Sequence, residues 1–110
     1  MNQCDIYLAD LEPSVGHEQG GVRPVVVISG NTMNHYLKIA MVCALSSQIK
    51  GLHGTVTIKK NPINGLDCDS EVLPFQLRTI SEKRLLKKIG YISKEELAKI
   101  FLGVQQLLVI

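Results

Sequence analysis

The chain has 110 residues, room for one domain over residues 1–110 and little more. Apolar residues make up 45% and charged residues 20%, the balance of an ordinary globular protein, which excludes a disordered chain. The net charge of +2 is too small to announce a nucleic-acid partner by itself, and the longest apolar run, Ile39–Leu45, is far too short to span a membrane. No basic stretch followed by an apolar one opens the chain, so a cytoplasmic location is expected.

Ile6–Leu11 is rich in strand formers and stops at Glu12-Pro13. Residues 13–23 read as a long loop with Gly16, Gly20 and Gly21. Pro24–Ile28 is a β-branched run of buried-strand type, closed by Ser29-Gly30-Asn31, and residues 31–37 fit a helical turn. Ile39–Leu45 is a second buried strand. Gly51–Gly54 interrupts, and Thr55–Lys59 alternates with Val56 and Ile58 inward. Asn61–Gly65 is a turn cluster. Val72–Ile80 is expected as one strand, at an edge or with a bulge because of Pro74, with Leu73, Phe75 and Leu77 on one face. Ser81 is expected to start a short helix over Glu82–Lys87. Ser93 with Glu96 makes a capping box, and Leu97, Ile100, Phe101, Val104, Leu107 and Leu108 then recur at helical steps. The strands stand too close together for helical crossovers. The expected class is mainly β with some α: a bent antiparallel sheet or small barrel, short helices and a C-terminal amphipathic helix.

Residues 1–55 hold three Lys/Arg against four Asp/Glu, and residues 56–110 hold nine against six. Lys83, Arg84, Lys87 and Lys88 are the densest basic cluster, read most simply as a solvated helix face. Cys4, Cys43 and Cys68 form no CxxC pair, and His17, His35 and His53 have no HExxH spacing. Asp67, Asp69 and Glu71 begin like a calcium loop, but Val72 stands where its glycine belongs and Arg78 where its bidentate Glu belongs. No metal site and no cofactor are expected.

If the strands at 24–28 and 39–45 are antiparallel neighbours, Arg23 and Ser46 meet at one end of the sheet. If those at 55–59 and 72–80 pair likewise, Gln76 and Arg78 reach the same end. One rim then gathers His17, Gln19, Arg23, Ser46, Ser47, Gln48, Gln76, Arg78 and Thr79. Glycines let backbone N–H groups approach a ligand, Arg23 offers a forked cation for phosphate, and Ser46 offers a hydroxyl. Such a rim suits a phosphodiester. The plainer reading is a flexible loop and a serine that closes a strand.

Cys4-Asp5-Ile6-Tyr7-Leu8-Ala9-Asp10-Leu11-Glu12-Pro13, followed by Gly16-His17-Glu18-Gln19-Gly20-Gly21-Val22-Arg23-Pro24-Val25-Val26-Val27-Ile28-Ser29, resembles the N-terminal signature of the MazF/PemK toxin family. Ala44-Leu45-Ser46-Ser47-Gln48 resembles its second motif. Asp69-Ser70, Gln76-Leu77-Arg78-Thr79-Ile80 and Lys83-Arg84-Leu85 resemble its third. The resemblance runs essentially end to end.

It implies an SH3-like small barrel, a homodimer, and metal-independent cleavage of single-stranded RNA at short sequences, by attack of a ribose 2′-OH on the adjacent phosphorus. It also implies a cognate antitoxin, for which an acidic, partly disordered peptide suits a cationic rim. The family's motif arginine falls on Arg23, its motif threonine on Ser46, and the histidine of the PemK branch on His17. Gln19, Gly20, Gly21, Ser47, Gln48, Lys50, Gln76, Arg78 and Thr79 are the candidate RNA contacts. Three departures stand out. Cys4 replaces a usual glycine, Ser46 replaces the threonine, and Leu73 and Phe75 occupy the places of the PemK branch's Arg-x-Asp pair, so the MazF branch is the better match. The rival readings are a non-enzymatic poison resembling the CcdB branch and a catalytically weak member that acts by binding.

Overall fold

A computed structural model describes residues 1–109; Ile110, the last residue of the expected unit, lies outside the described residues. Among these residues seven strands form: β1 (Asp5–Asp10), β2 (Val22–Val27), β3 (Ile39–Ser46), β4 (Val56–Ile58), β5 (Ser70–Val72), β6 (Arg78–Ser81) and β7 (Leu85–Tyr91). Helix α1 (Asn31–Leu37) joins β2 to β3, and helix α2 (Lys94–Leu107) follows β7. The sheet order is β4-β5-β3-β2-β1-β7, every pair antiparallel, with β6 pairing β3 beside β5.

The expected SH3-like barrel is not formed. β4 and β7 are the two ends of the strand order and do not pair with each other. β4 is only three residues long, and the connection from β4 to β5 lies against β7 instead. Ile63 O accepts from Tyr91 N at 3.3 Å. Gly90 permits the approach, since a Cβ there would strike the backbone of Ile63 and Asn64. Buried Asn64 holds this turn together: its Nδ2 donates to Lys59 O at 2.9 Å, and its Oδ1 accepts from Leu66 N at 3.0 Å. A turn fills the seam where a barrel would have a ladder.

Alternation along β2 and β3 builds two cores. Val26, Ile28, Cys43 and Leu45 face the first with Ile6, Ile58 and Val72. Val25, Val27, Ala40, Val42 and Ala44 face the second with Ala9, Leu11 and Ile80. Helix α2 covers the first through Leu97, Ile100 and Val104. Its capping box is present: Ser93 Oγ accepts from Glu96 N at 3.1 Å, and Glu96 Oε1 accepts from Ser93 N at 2.9 Å. Phe101 and Leu107, expected on its inner stripe, are exposed, and Leu108 lies beyond the helix. Gly103 is buried instead, against the backbone of Gly54 and the ring of Pro74.

Two expected elements are corrected. The strand expected over Val72–Ile80 breaks into β5, a 3-10 turn at Pro74–Gln76, and β6. Pro74 starts that turn and is buried, which rotates Phe75 outward to 46% exposure while Leu73 stays buried. The helix expected over Glu82–Lys87 is one 3-10 turn, Glu82–Arg84, capped by Ser81; strand β7 follows. Leu85-Leu86-Lys87-Lys88-Ile89 has neither a helical stripe nor clean alternation. It becomes strand by pairing with β1 through two register shifts. No helix of the described residues is long and apolar enough to cross a membrane.

Candidate active site

The site begins with a proline. In β2 the even-numbered residues bond toward β3, as Ile28 N to Met41 O at 2.9 Å shows. Pro24 falls in that series and has no N–H to give Leu45 O. The β2–β3 ladder accordingly ends at Val25 and Ala44. Continued two positions further, the same register would set Arg23 across from Ser46. Ala9 pairs with Arg23, Ser46 with Glu71, and Glu71 with Thr57, so one cross-strand row reads Ala9, Arg23, Ser46, Glu71, Thr57. Residues paired across strands share a face.

Arg23 is half-buried, and its Nε donates to Gly20 O at 2.8 Å. That bond fixes the guanidinium plane. Neither Nη nitrogen has a partner among the described residues, which leaves a free fork of the kind that binds phosphate. Ser46 Oγ accepts from Gln48 N at 3.2 Å, so the Ser46 proton is free to be donated. Gly21, at φ +73°, takes a backbone conformation that side chains rarely adopt, just before Val22 and Arg23.

The loop over residues 11–21 is tied down from the other end of the chain. Arg78 Nη1 donates to Leu11 O at 3.3 Å, and Gln76 Nε2 donates to His17 O at 3.1 Å. Gln76 Oε1 accepts from Gln19 N at 3.4 Å. Arg84 Nη1 donates to Asp10 O at 3.2 Å and also to Glu12 O. Gln76 and Arg78 therefore reach the loop through the 3-10 turn and β6, where Arg78 pairs with Val42, and not from the end of a long strand.

The expected single rim is divided between two grooves. One, of about 850 Å³, is lined by Gly20, Gly21, Arg23 and Ser47 over a floor that includes Leu45 and Leu66. The other, of about 410 Å³, is lined by His17, Glu18, Phe75, Gln76, Leu77 and Arg78. Gln48 and Lys50 are exposed on the segment after Ser46. Thr79 pairs with Met41, on the opposite face from Arg78 and away from the row.

Three residues join these grooves unannounced. Lys87 and Lys88 line the larger one from β7. Their signal was the basic cluster, read as a helix face because β7 itself was missed. Lys88 Nζ pairs with Asp5 Oδ1 at 3.2 Å. Phe75 lines the smaller groove beside His17, and the proline before it was the available signal.

Burial pushes the Cys43 thiol up to about 12 and raises the Cys4 thiol as well, in that case with the Asp5 charge adding to burial. All three cysteines are free, and only Cys68 is exposed. Among the described residues no three His, Cys, Asp or Glu side chains form a metal-binding group.

The result is an open antiparallel sheet backed by a C-terminal helix, with an unpartnered arginine fork and a serine hydroxyl placed in one cross-strand row. Comparison with known proteins names the class. The family model for PemK-like, MazF-like toxins of type II toxin–antitoxin systems matches residues 2–108. The chain is 39% identical over 102 residues to the endoribonuclease MazF of Staphylococcus saprophyticus, covering 91% of this chain and 84% of that protein. Among solved structures it is similar to MazF of Deinococcus radiodurans, with a TM-score of 0.85 and 24% identity over 98% of this chain and 96% of that one. A MazE–MazF structure from the same organism aligns with a TM-score of 0.81 and 25% identity, over 98% and 95% of the two chains. The chain belongs to the PemK-like, MazF-like toxin family of type II toxin–antitoxin systems.

Proposed function

We propose that this endoribonuclease toxin cleaves single-stranded RNA at specific sequences, without a metal ion, in the Arg23–Ser46 row. The bond that forms joins the ribose 2′-oxygen to the adjacent phosphorus; the bond that breaks joins that phosphorus to the 5′-oxygen of the next nucleotide. A proton leaves the 2′-OH and a proton reaches the departing 5′-oxygen. The free Nη fork of Arg23 meets the negative charge that grows on the non-bridging oxygens. An arginine stays protonated at accessible pH, so Arg23 is no base. Ser46, accepting from Gln48 N, gives its own proton to the phosphate or orients the 2′-OH. His17, which lines the smaller groove, is the acid–base candidate. Gly20, Gly21, Ser47, Gln48 and Lys50 line the RNA path from the row, and Gln19, Gln76 and Arg78 shape its loop.

One observation carries this reading: the β2–β3 ladder ends at Val25 and Ala44, and its register continued two positions further puts Arg23 opposite Ser46. The protein's partners are RNA and an antitoxin, the latter an acidic segment that orders over the cationic side chains Arg23, Lys50 and Arg78 and competes with RNA. The protein assembles as a homodimer; exposed Phe101, Leu102 and Leu107 on α2 supply apolar surface to cover. Incubation of the protein with a long single-stranded RNA in excess EDTA tests the reaction. Discrete fragments ending in 2′,3′-cyclic phosphate are expected. Intact RNA would favour a non-enzymatic poison or a binding-only family member.

A further inference from the structure

Glu71 takes no part in this reaction, yet its side chain is almost completely buried, 1% exposed. A buried carboxylate is costly unless its lone pairs are filled. Gly51 N donates to its Oε2 at 2.9 Å, and Lys50 N donates to its Oε1 at 3.4 Å. Thr55 Oγ1 stands 2.9 Å from Oε2 and 2.7 Å from Leu52 O. Chain topology explains why these donors converge. β3 and β4 both run antiparallel to β5, and so parallel to each other. Residues 47–55, which join them, must return along β5 before β4 can start. The Glu71 side chain meets that returning segment. Since Ser46 and Glu71 are direct partners, it does so on the face of Ser46.

We infer that Glu71 is a positioning residue for RNA: its carboxylate pins Lys50, Gly51 and Thr55 and thereby sets where Ser47, Gln48 and Lys50 stand against RNA bound at Ser46. The inference rests on reading the Arg23–Ser46 row as the RNA site. The pinned segment also carries Gln48, whose N–H holds Ser46 Oγ. That bond is a local one between neighbours that precede the pinned residues, so loosening the segment disturbs binding before it disturbs the chemistry at Ser46 and Arg23.

Glu71→Ala and Glu71→Gln in the full chain test this with two readouts. The first is amide exchange at Gly51, which needs no activity. The second is steady-state cleavage of a single-stranded RNA, with the cleavage sites mapped. In Glu71→Ala, Gly51 exchange should quicken at least tenfold and KM should rise at least fivefold, with kcat within about threefold of wild type. Glu71→Gln keeps one carbonyl oxygen and should fall between. If the alanine variant does not fold, the glutamine variant is judged alone against wild type. Unchanged Gly51 exchange in a folded variant would overturn the pinning. Quickened exchange with unchanged KM and cleavage sites would overturn the role toward RNA. A wild-type protein that leaves RNA intact would overturn the reaction assigned above and the RNA role with it, while Gly51 exchange still decides whether Glu71 pins the segment.

Discussion

Two loops flank the Arg23–Ser46 row, and they are held to the rest of the protein in different ways. Side chains from outside reach the 11–21 loop at several points: Arg23, Gln76, Arg78 and Arg84 donate to its carbonyl oxygens and Gln76 also accepts from Gln19 N, while Glu12 within the loop accepts from Ser14 N and Gly21 N. The 47–55 loop is fastened through donors that converge on one carboxylate, Glu71. The first attachment is spread out and rests partly on arginines that keep their charge at any accessible pH. The second is concentrated in one buried group. On this contrast the 11–21 loop should bear the loss of one outside side chain better than the 47–55 loop bears the loss of Glu71.

That contrast sets an order of effects. Glu71→Ala removes an acceptor charged when ionised and leaves its donors to water, so it should cost about 2–3 kcal/mol of stability by chemical denaturation. Gln76→Ala removes two hydrogen bonds to the 11–21 loop and should cost about 1 kcal/mol, because three other side chains still hold that loop. Arg84→Ala, at a more exposed fastening, should cost less than about 1 kcal/mol. Equal costs for Glu71→Ala and Arg84→Ala would remove the distinction between a shared and a single attachment.

Away from both loops the smallest effect belongs to Cys43. Its thiol ionises only at about 12 in the folded chain, against an ordinary 9.0 when unfolded. The folded state therefore holds the proton more tightly. Its contribution to stability is whole below about pH 9 and is lost as pH rises toward about 12. Denaturation midpoints should fall across that interval in the wild type and fall less in Cys43→Ala. At neutral pH a thiol reagent should modify Cys68 and spare Cys43.

The first half of the chain was the more legible in sequence. β2 and β3 are β-branched or apolar runs with clear ends, and they pair antiparallel as expected. The second half was less so, for identifiable reasons. Pro74 turned one expected strand into two with a 3-10 turn between them, and this moved Phe75 out and Gln76 onto the 11–21 loop. β7 has no pattern of its own and exists because β1 offers an edge, so Lys87 and Lys88 were placed on a helix face. Whether the sheet closes depends on what fills the gap between β4 and β7. That is settled by the fit of Asn64 and Gly90, a contact between distant residues that no local pattern announces. Glu71 was hidden in the same way, since its burial follows from the parallel relation of β3 and β4.

The central claim is that Arg23 and Ser46 form one phosphodiester site. Its most direct test is single-turnover cleavage of one RNA by wild type, Arg23→Ala, Ser46→Ala and Ser46→Thr, with each fold checked by circular dichroism. A loss of roughly a hundredfold is expected for Arg23→Ala, about 3 kcal/mol of transition-state stabilisation, by comparison with a lost oxyanion donor. Ser46→Ala should be severely impaired, and Ser46→Thr, which keeps the hydroxyl, should cleave close to wild type. Wild-type rates in folded Arg23→Ala, or a dead Ser46→Thr beside an active Ser46→Ala, would contradict the claim.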